Sequence, residues 1–156
     1  MIDIEIEHPA WMAEVPDAEA LVRAAALAAL AQTGGGASPL SVLLADDGVV
    51  QDLNARFRSQ NVATNVLSFP AVPNPENHLG DIAIAFETCC REALVQAKPL
   101  AHHLQHLTVH GVLHLLGHDH IGDDEADAME HLERVILAGL GVPDPYAAGD
   151  GDHDRR

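Results

Sequence analysis

The densest chemistry in the chain lies in one stretch, HGVLHLLGHDH, running from His110 to His120. His110 and His114 are four residues apart, so a helix sets them one turn apart on the same face. Gly117 follows where a helix ends by letting one residue take a left-handed conformation. A turn there brings His120 back toward the other two imidazoles. Three neutral nitrogen ligands with a fourth position left open are how proteins hold a catalytic zinc. The stretch therefore reads as a metal site in which His110, His114 and His120 hold one Zn2+.

The spacing, His-x-x-x-His-x-x-Gly-x-x-His, is that of the metzincin proteases, whose motif is HExxHxxGxxH. One position differs. Gly111 stands where those proteases carry the glutamate that takes a proton from the attacking water. The ligand set points to hydrolytic metal chemistry, and the missing carboxylate points away from that kind of protease. The plain alternative, a histidine-rich helix with no metal, must explain three histidines and a correctly placed glycine together.

The elements that position this stretch belong to a chain of 156 residues, long enough for a single domain with one core. We place that domain at residues 1–143, followed by a polar, disordered tail at 144–156. No apolar run approaches the ~18 residues of a membrane span, and MIDIEIEHPAW lacks the basic start and apolar centre of a signal peptide. The adjacent pair Cys89 and Cys90 suits neither a disulfide framework nor a C-x-x-C ligand pair. These features point to the cytoplasm. A net charge of −16, from 24 acidic against 8 basic residues, repels polyanions at long range. Any nucleic-acid substrate must therefore meet a local arginine site, divalent cations or a partner that delivers it.

Periodicity assigns the rest of the chain. IDIEI at 2–6 alternates like a half-buried strand, and LSVLLA at 40–45 reads as a buried one. Between them, Asp17 opens a helix that the glycines at 34–36 end, with Leu21, Leu27 and Leu30 turned inward. A helix after Asp46 or Asp47 carries Leu53 and Phe57 inward. NVLSF at 65–69 is a short strand stopped by Pro70, and LGDIAIAF at 79–86 is a second strand. Residues 87–97 form a helix, and Pro99 opens the central helix that bears the histidines. His102, His103 and His106 lie upstream on its surface or behind the site. A final helix runs from Asp123 or Asp124 to about Leu140.

Three blocks in this order resemble the YbeY-type endoribonucleases: LNARFR with TNVLSFP (53–58 and 64–70), LGDIAIA (79–85), and HGVLHLLGHDH followed by DDEADAMEHLE. The resemblance spans roughly residues 40–135. It implies an α+β fold in which helices pack on a small mixed sheet around a central His-bearing helix. It further implies a zinc held by His110, His114 and His120, and a functionally important arginine at Arg58. The activity implied is cleavage of single-stranded RNA, in maturation of the 16S rRNA 3′ end and in ribosome quality control. The ribosome or its proteins would be partners, with no DNA and no membrane. One departure is visible: the family usually has tyrosine where this chain has His118, an imidazole that competes with His120 for the third ligand position.

On this reading zinc activates a water and polarises a phosphoryl oxygen, while the Arg58 guanidinium holds the phosphate. Asn65 and Ser68 are candidate contacts to ribose or phosphate, or else strand-end packing groups. Asp81 is a candidate substrate-side residue that orients a ligand histidine, or else bonds to nearby backbone. The general base is open among a metal-activated water, Asp81 and the substrate's 2′-hydroxyl. Two other functions compete: a zinc-dependent hydrolase of peptides or small molecules, and a non-catalytic, zinc-stabilised ribosome assembly factor whose acidic surface docks on basic proteins.

Overall fold

The alternating stretch IDIEI forms β1 (Ile2–Ile6) in the computed structural model, which describes residues 2–36, 38–58, 64–118 and 122–147. It is followed by α1 (Ala10–Glu14), α2 (Ala18–Thr33), β2 (Leu40–Ala45), α3 (Asp47–Arg58), β3 (Val66–Pro70) and β4 (Gly80–Ala85). Three helices complete the order: α4 (Phe86–Val95), α5 (Leu100–Leu115) and α6 (Asp123–Gly139). The strands form one sheet in the order β1-β2-β4-β3. β1, β2 and β4 are parallel, and β3 is an antiparallel edge strand that pairs Ser68 with Ile82 and Pro70 with Gly80. This is the mixed α+β arrangement expected. No helix among the described residues is long and apolar enough to cross a membrane.

Because successive strand residues point to opposite faces, the sheet separates two apolar clusters. Ile2, Leu40, Val42, Leu44, Ile82 and Ile84 pack with α2, α5 and α6 in the larger one. Leu67, Ala83, Ala45 and Ala85 pack with Val50 and Leu53 of α3 in the smaller. α5 lies inside the larger cluster, touching the sheet at β3 and β4 and packing against α2, α4 and α6. Almost every turn of it is buried, including Leu104, Leu107, Val109, Val112 and Leu113. A helix enclosed on most sides carries no single apolar stripe, and α5 also buries the polar side chains of His103, Gln105, His106 and Thr108. Burying each of these side chains contributes on the order of 1.5–3 kcal/mol.

Local pairings hold the frame. Asp46 accepts the Val49 N–H at 2.8 Å and caps α3. The α3 and α4 starts are clasped together: Asp47 accepts the Thr88 N–H and hydroxyl, and Glu87 accepts the Asp47 N–H at 2.7 Å. The short α1 was not expected from the proline-bounded sequence. It exists to bury Trp11, whose indole N–H reaches the Ala45 carbonyl at 3.0 Å.

Two inward assignments need correction. Leu27 is exposed, because the buried stripe of α2 runs through Ala25, Ala26 and Ala29. Phe57 is 66% exposed; its ring meets Phe69 of the edge strand edge-on at 5.8 Å. Residues 144–147, expected in the polar tail, pack back on α6: Asp144 bonds the Arg134 guanidinium and Tyr146 is half-buried.

Candidate metal centre

The C-terminal end of α5 stops as its sequence requires. Gly117 takes φ +99°, its N–H bonds the His114 carbonyl, and the His118 N–H bonds the Leu113 carbonyl, both at 3.0 Å. These two reverse bonds are the Schellman stop that glycine makes possible. Upstream, Gly111 faces β4. A Cβ there would lie 3.0 Å from Ile82 Cγ2 and 3.1 Å from Cδ1. Position 111 thus faces Ile82 of the packed sheet, where any side chain, a glutamate included, would have to displace the Ile82 side chain. Ser68 ties the same turn to the edge strand, its hydroxyl donating to the Gly111 carbonyl at 3.1 Å.

On the same turns of α5, His110 and His114 bring their Nε2 atoms to within 3.0 Å of each other. Behind them stands Glu133 of α6, fully buried. It accepts the His110 Nδ1–H at 2.6 Å, the His106 Nε2–H at 3.0 Å, and the Tyr146 hydroxyl proton. Burial by itself pushes the Glu133 carboxyl up, but the hydrogen bonds from His106 and His110 outweigh it and hold the group well below the usual carboxylate range. A carboxylate acceptor makes His110 Nδ1 the donor in their 2.6 Å contact and leaves Nε2 facing His114.

That pattern fits a cation. Ligating histidines characteristically donate their other ring N–H to a carboxylate, which fixes the tautomer and orients the ring. Two imidazole nitrogens at ~2.0–2.1 Å from a tetrahedral ion sit roughly 3.4 Å apart. His110 and His114 thus need to open by only about 0.4 Å. The 3.0 Å contact between their Nε2 atoms needs one shared proton, which a cation would displace. Among the described residues no group of three ligands is complete; His120 lies outside them. Arg58 closes α3, and its side chain likewise lies outside what is described.

The carboxylate behind His110 is therefore Glu133 and not Asp81. Asp81 precedes Ile82, so its side chain leaves on the face that carries α3, 64% exposed and 3.3 Å from His78. The same geometry takes Asp81 away as a base beside the histidines. Asn65 gives its amide N–H to both oxygens of Glu92, at 3.0 and 3.3 Å, and Glu92 meets His103 Nε2 at 2.8 Å. This chain links the start of β3 to α4 and α5. His103 and His106 are buried, not surface groups, because α4 and α6 cover the sides of α5 that a single-helix view leaves to solvent. Burial pushes the His103 imidazole down, partly opposed by its bond to Glu92.

A signal for Glu133 was present in the sequence. The buried stripe of α6 is Ala126, Met129, Glu133, Ile136 and Leu137, so a carboxylate occupies the middle of an apolar face. A buried carboxylate requires partners, and the only question was which ones.

Comparison with known proteins gives a consistent picture. The sequence pattern of the family described as Endoribonuclease YbeY matches residues 5–141. A Paramagnetospirillum magneticum protein of the same description is 50% identical, with 93% of this chain and 94% of that protein covered. One from Rhodopseudomonas palustris (strain BisB18) is 52% identical over 95% and 93%. Among solved structures, the solution structure of TM1509 from Thermotoga maritima covers 98% of this chain and 100% of its own, with a TM-score of 0.56 at 18% identity. That likeness concerns the fold alone.

Proposed function

Because the chain belongs to the YbeY endoribonuclease family, we propose that it cuts single-stranded RNA with one Zn2+ held by His110, His114 and His120. The observation that carries this reading is the buried Glu133 carboxylate on His110 Nδ1, 2.6 Å away, with the His110 and His114 Nε2 atoms converging on the other side. Such backing is characteristic of a ligand histidine. When bound, the ion supplies a Lewis acid for the phosphoryl group.

The chain's own residues do the rest. Arg58 holds the scissile phosphate in its planar fork and offsets charge that builds in the transition state. The β3 strand forms one wall of the substrate cleft. Ser68 holds that wall against α5 through Gly111, and Asn65 anchors its start through Glu92. Glu133 is enclosed and accepts three donors, so it orients and does not take a proton from the nucleophile. With position 111 turned into the sheet, no carboxylate of that helix turn serves as base. The attacking oxygen in this reading is the substrate's own 2′-hydroxyl, its proton passing to solvent, and the comparison of RNA with DNA separates this route from a metal-activated water.

The biological substrate is the 3′ end of 16S rRNA, with ribosome quality control as the wider setting and the cytoplasm as the place. An acidic surface docks on basic ribosomal proteins, which bring the RNA within reach of Arg58. The test is cleavage of matched RNA and DNA oligonucleotides by purified, zinc-loaded protein. RNA should be cut to a cyclic phosphate end and DNA left whole. His114→Ala and Arg58→Ala should each lower the rate at least 100-fold, an effect on the scale of losing one stabilising group in a transition state. Equal cutting of DNA removes the 2′-hydroxyl route, and full activity in His114→Ala removes the metal reading.

A further inference from the structure

The turn that follows α6 is built to aim a phenol. Asp144 accepts the Arg134 Nε–H with both oxygens, at 3.2 and 3.1 Å, and also the Tyr146 N–H at 2.9 Å. The Arg134 guanidinium lies 5.3 Å from the Tyr146 ring centre, and the His106 ring meets that ring edge-on at 5.5 Å. Held in this way, the Tyr146 hydroxyl reaches Glu133 Oε1, the oxygen that also accepts from His106. Glu133 Oε2 is the oxygen on His110 Nδ1.

A carboxylate held at one oxygen by a single donor can swing about its terminal bond, because that torsion is broad. Two donors arriving at Oε1 from different elements, α5 and the C-terminal turn, oppose the swing and leave Oε2 directed at His110. We propose that Tyr146 is a positioning residue of the metal centre: its hydroxyl anchors Glu133, which keeps His110 protonated at Nδ1 and its Nε2 presented to the cation. The C-terminal turn is thereby part of the metal site, although it is remote in sequence from every ligand. This inference rests on the reading of His110 as a ligand. The competing role for Tyr146 is a plain clasp that fastens the turn to α6.

Tyr146→Phe separates the two roles, since it keeps the ring against His106 and Arg134 and removes only the hydroxyl. Zinc affinity is read by competition with a chromophoric chelator on the full-length wild type and on Tyr146→Phe, Glu133→Gln and His110→Ala, at a temperature where circular dichroism shows each folded. Imidazole 15N spectra of the metal-free proteins report which His110 nitrogen carries the proton. His110→Ala should lose tight binding, and Glu133→Gln should weaken it by about 10–100-fold, as partners behind a ligand do. Tyr146→Phe, one bond further out, should weaken it by roughly threefold to tenfold, and His110 should show a mixture of tautomers. Wild-type affinity and a single Nδ1–H tautomer in Tyr146→Phe would overturn the positioning role, with the ligand reading intact if His110→Ala still fails to bind. Wild-type affinity in His110→Ala would overturn both.

Discussion

Gly111 is the position where this chain departs from the protease motif, and its replacement by alanine measures how closely the metal-bearing helix is seated on the sheet. Two terms of opposite sign act. In a helix interior, alanine is favoured over glycine by about 0.8–1.0 kcal/mol. Against this, the new methyl would stand 3.0 Å from Ile82 Cγ2, 3.1 Å from Cδ1 and 3.3 Å from Cγ1. The Ile82 side chain is itself buried and has little room to retreat. Overpacking of this kind costs typically about 1–3 kcal/mol, so Gly111→Ala should be net destabilising by roughly 0–2 kcal/mol. Urea unfolding of the metal-free protein gives the number directly, and Ile82→Val supplies the control because it removes the Cδ1 contact. The cost of Gly111→Ala should shrink in the Ile82→Val background, with a coupling of about 0.5 kcal/mol or more for two residues in contact. If Gly111→Ala stabilises the protein by the full helix-propensity gain and shows no coupling to Ile82, α5 does not sit on β4 as described. The explanation for the missing glutamate would then fail with it.

Three further outcomes follow from the same geometry. Gly117→Ala should cost about 1–2 kcal/mol, since space is open around the residue but its φ of +99° disfavours a side chain; an unchanged unfolding midpoint would refute the Schellman stop. For Asp47, burial pushes the carboxyl up, but the Thr88 and Arg91 hydrogen bonds outweigh it and hold the folded pKa below the unfolded ~3.9. Its contribution to stability is therefore fully present above about pH 4 and lost as pH falls through the lower folded value. Asp47→Asn should flatten that acid limb in thermal melts between pH 5 and pH 2, and an unchanged slope would count against the clasp between α3 and α4. Finally, zinc at 100 times its dissociation constant should stabilise the wild type by about 2.7 kcal/mol. A chelator should reverse the gain, and His114→Ala should show none of it in differential scanning calorimetry.

Most of the frame was legible because it depends on local rules. The alternation of IDIEI and LSVLLA marks strands that bury one face or both. The i, i+4 histidines and the glycine stop mark one face of a helix and its end. The edge strand announces itself by the proline that closes it. Each of these signals lies within one or two turns of chain, and each appeared where periodicity put it.

What could not be read locally was decided by which elements meet. Spacing leaves His103 and His106 either on the surface or behind the site until α4 and α6 close over α5, and then Glu92 and Glu133 become their partners. Asp81 looks like a neighbour of the histidines until the twofold period of β4 sends it to the other face. Phe57 continues an inward stripe, yet it meets Phe69 at the edge strand and remains largely exposed. The sequence alone determined that imidazoles would be presented from the end of a glycine-stopped helix. Only the tertiary structure decided which buried carboxylate fixes their protons, because hydrogen bonds between α5, α6 and the C-terminal turn depend on distances that no spacing along one chain segment encodes.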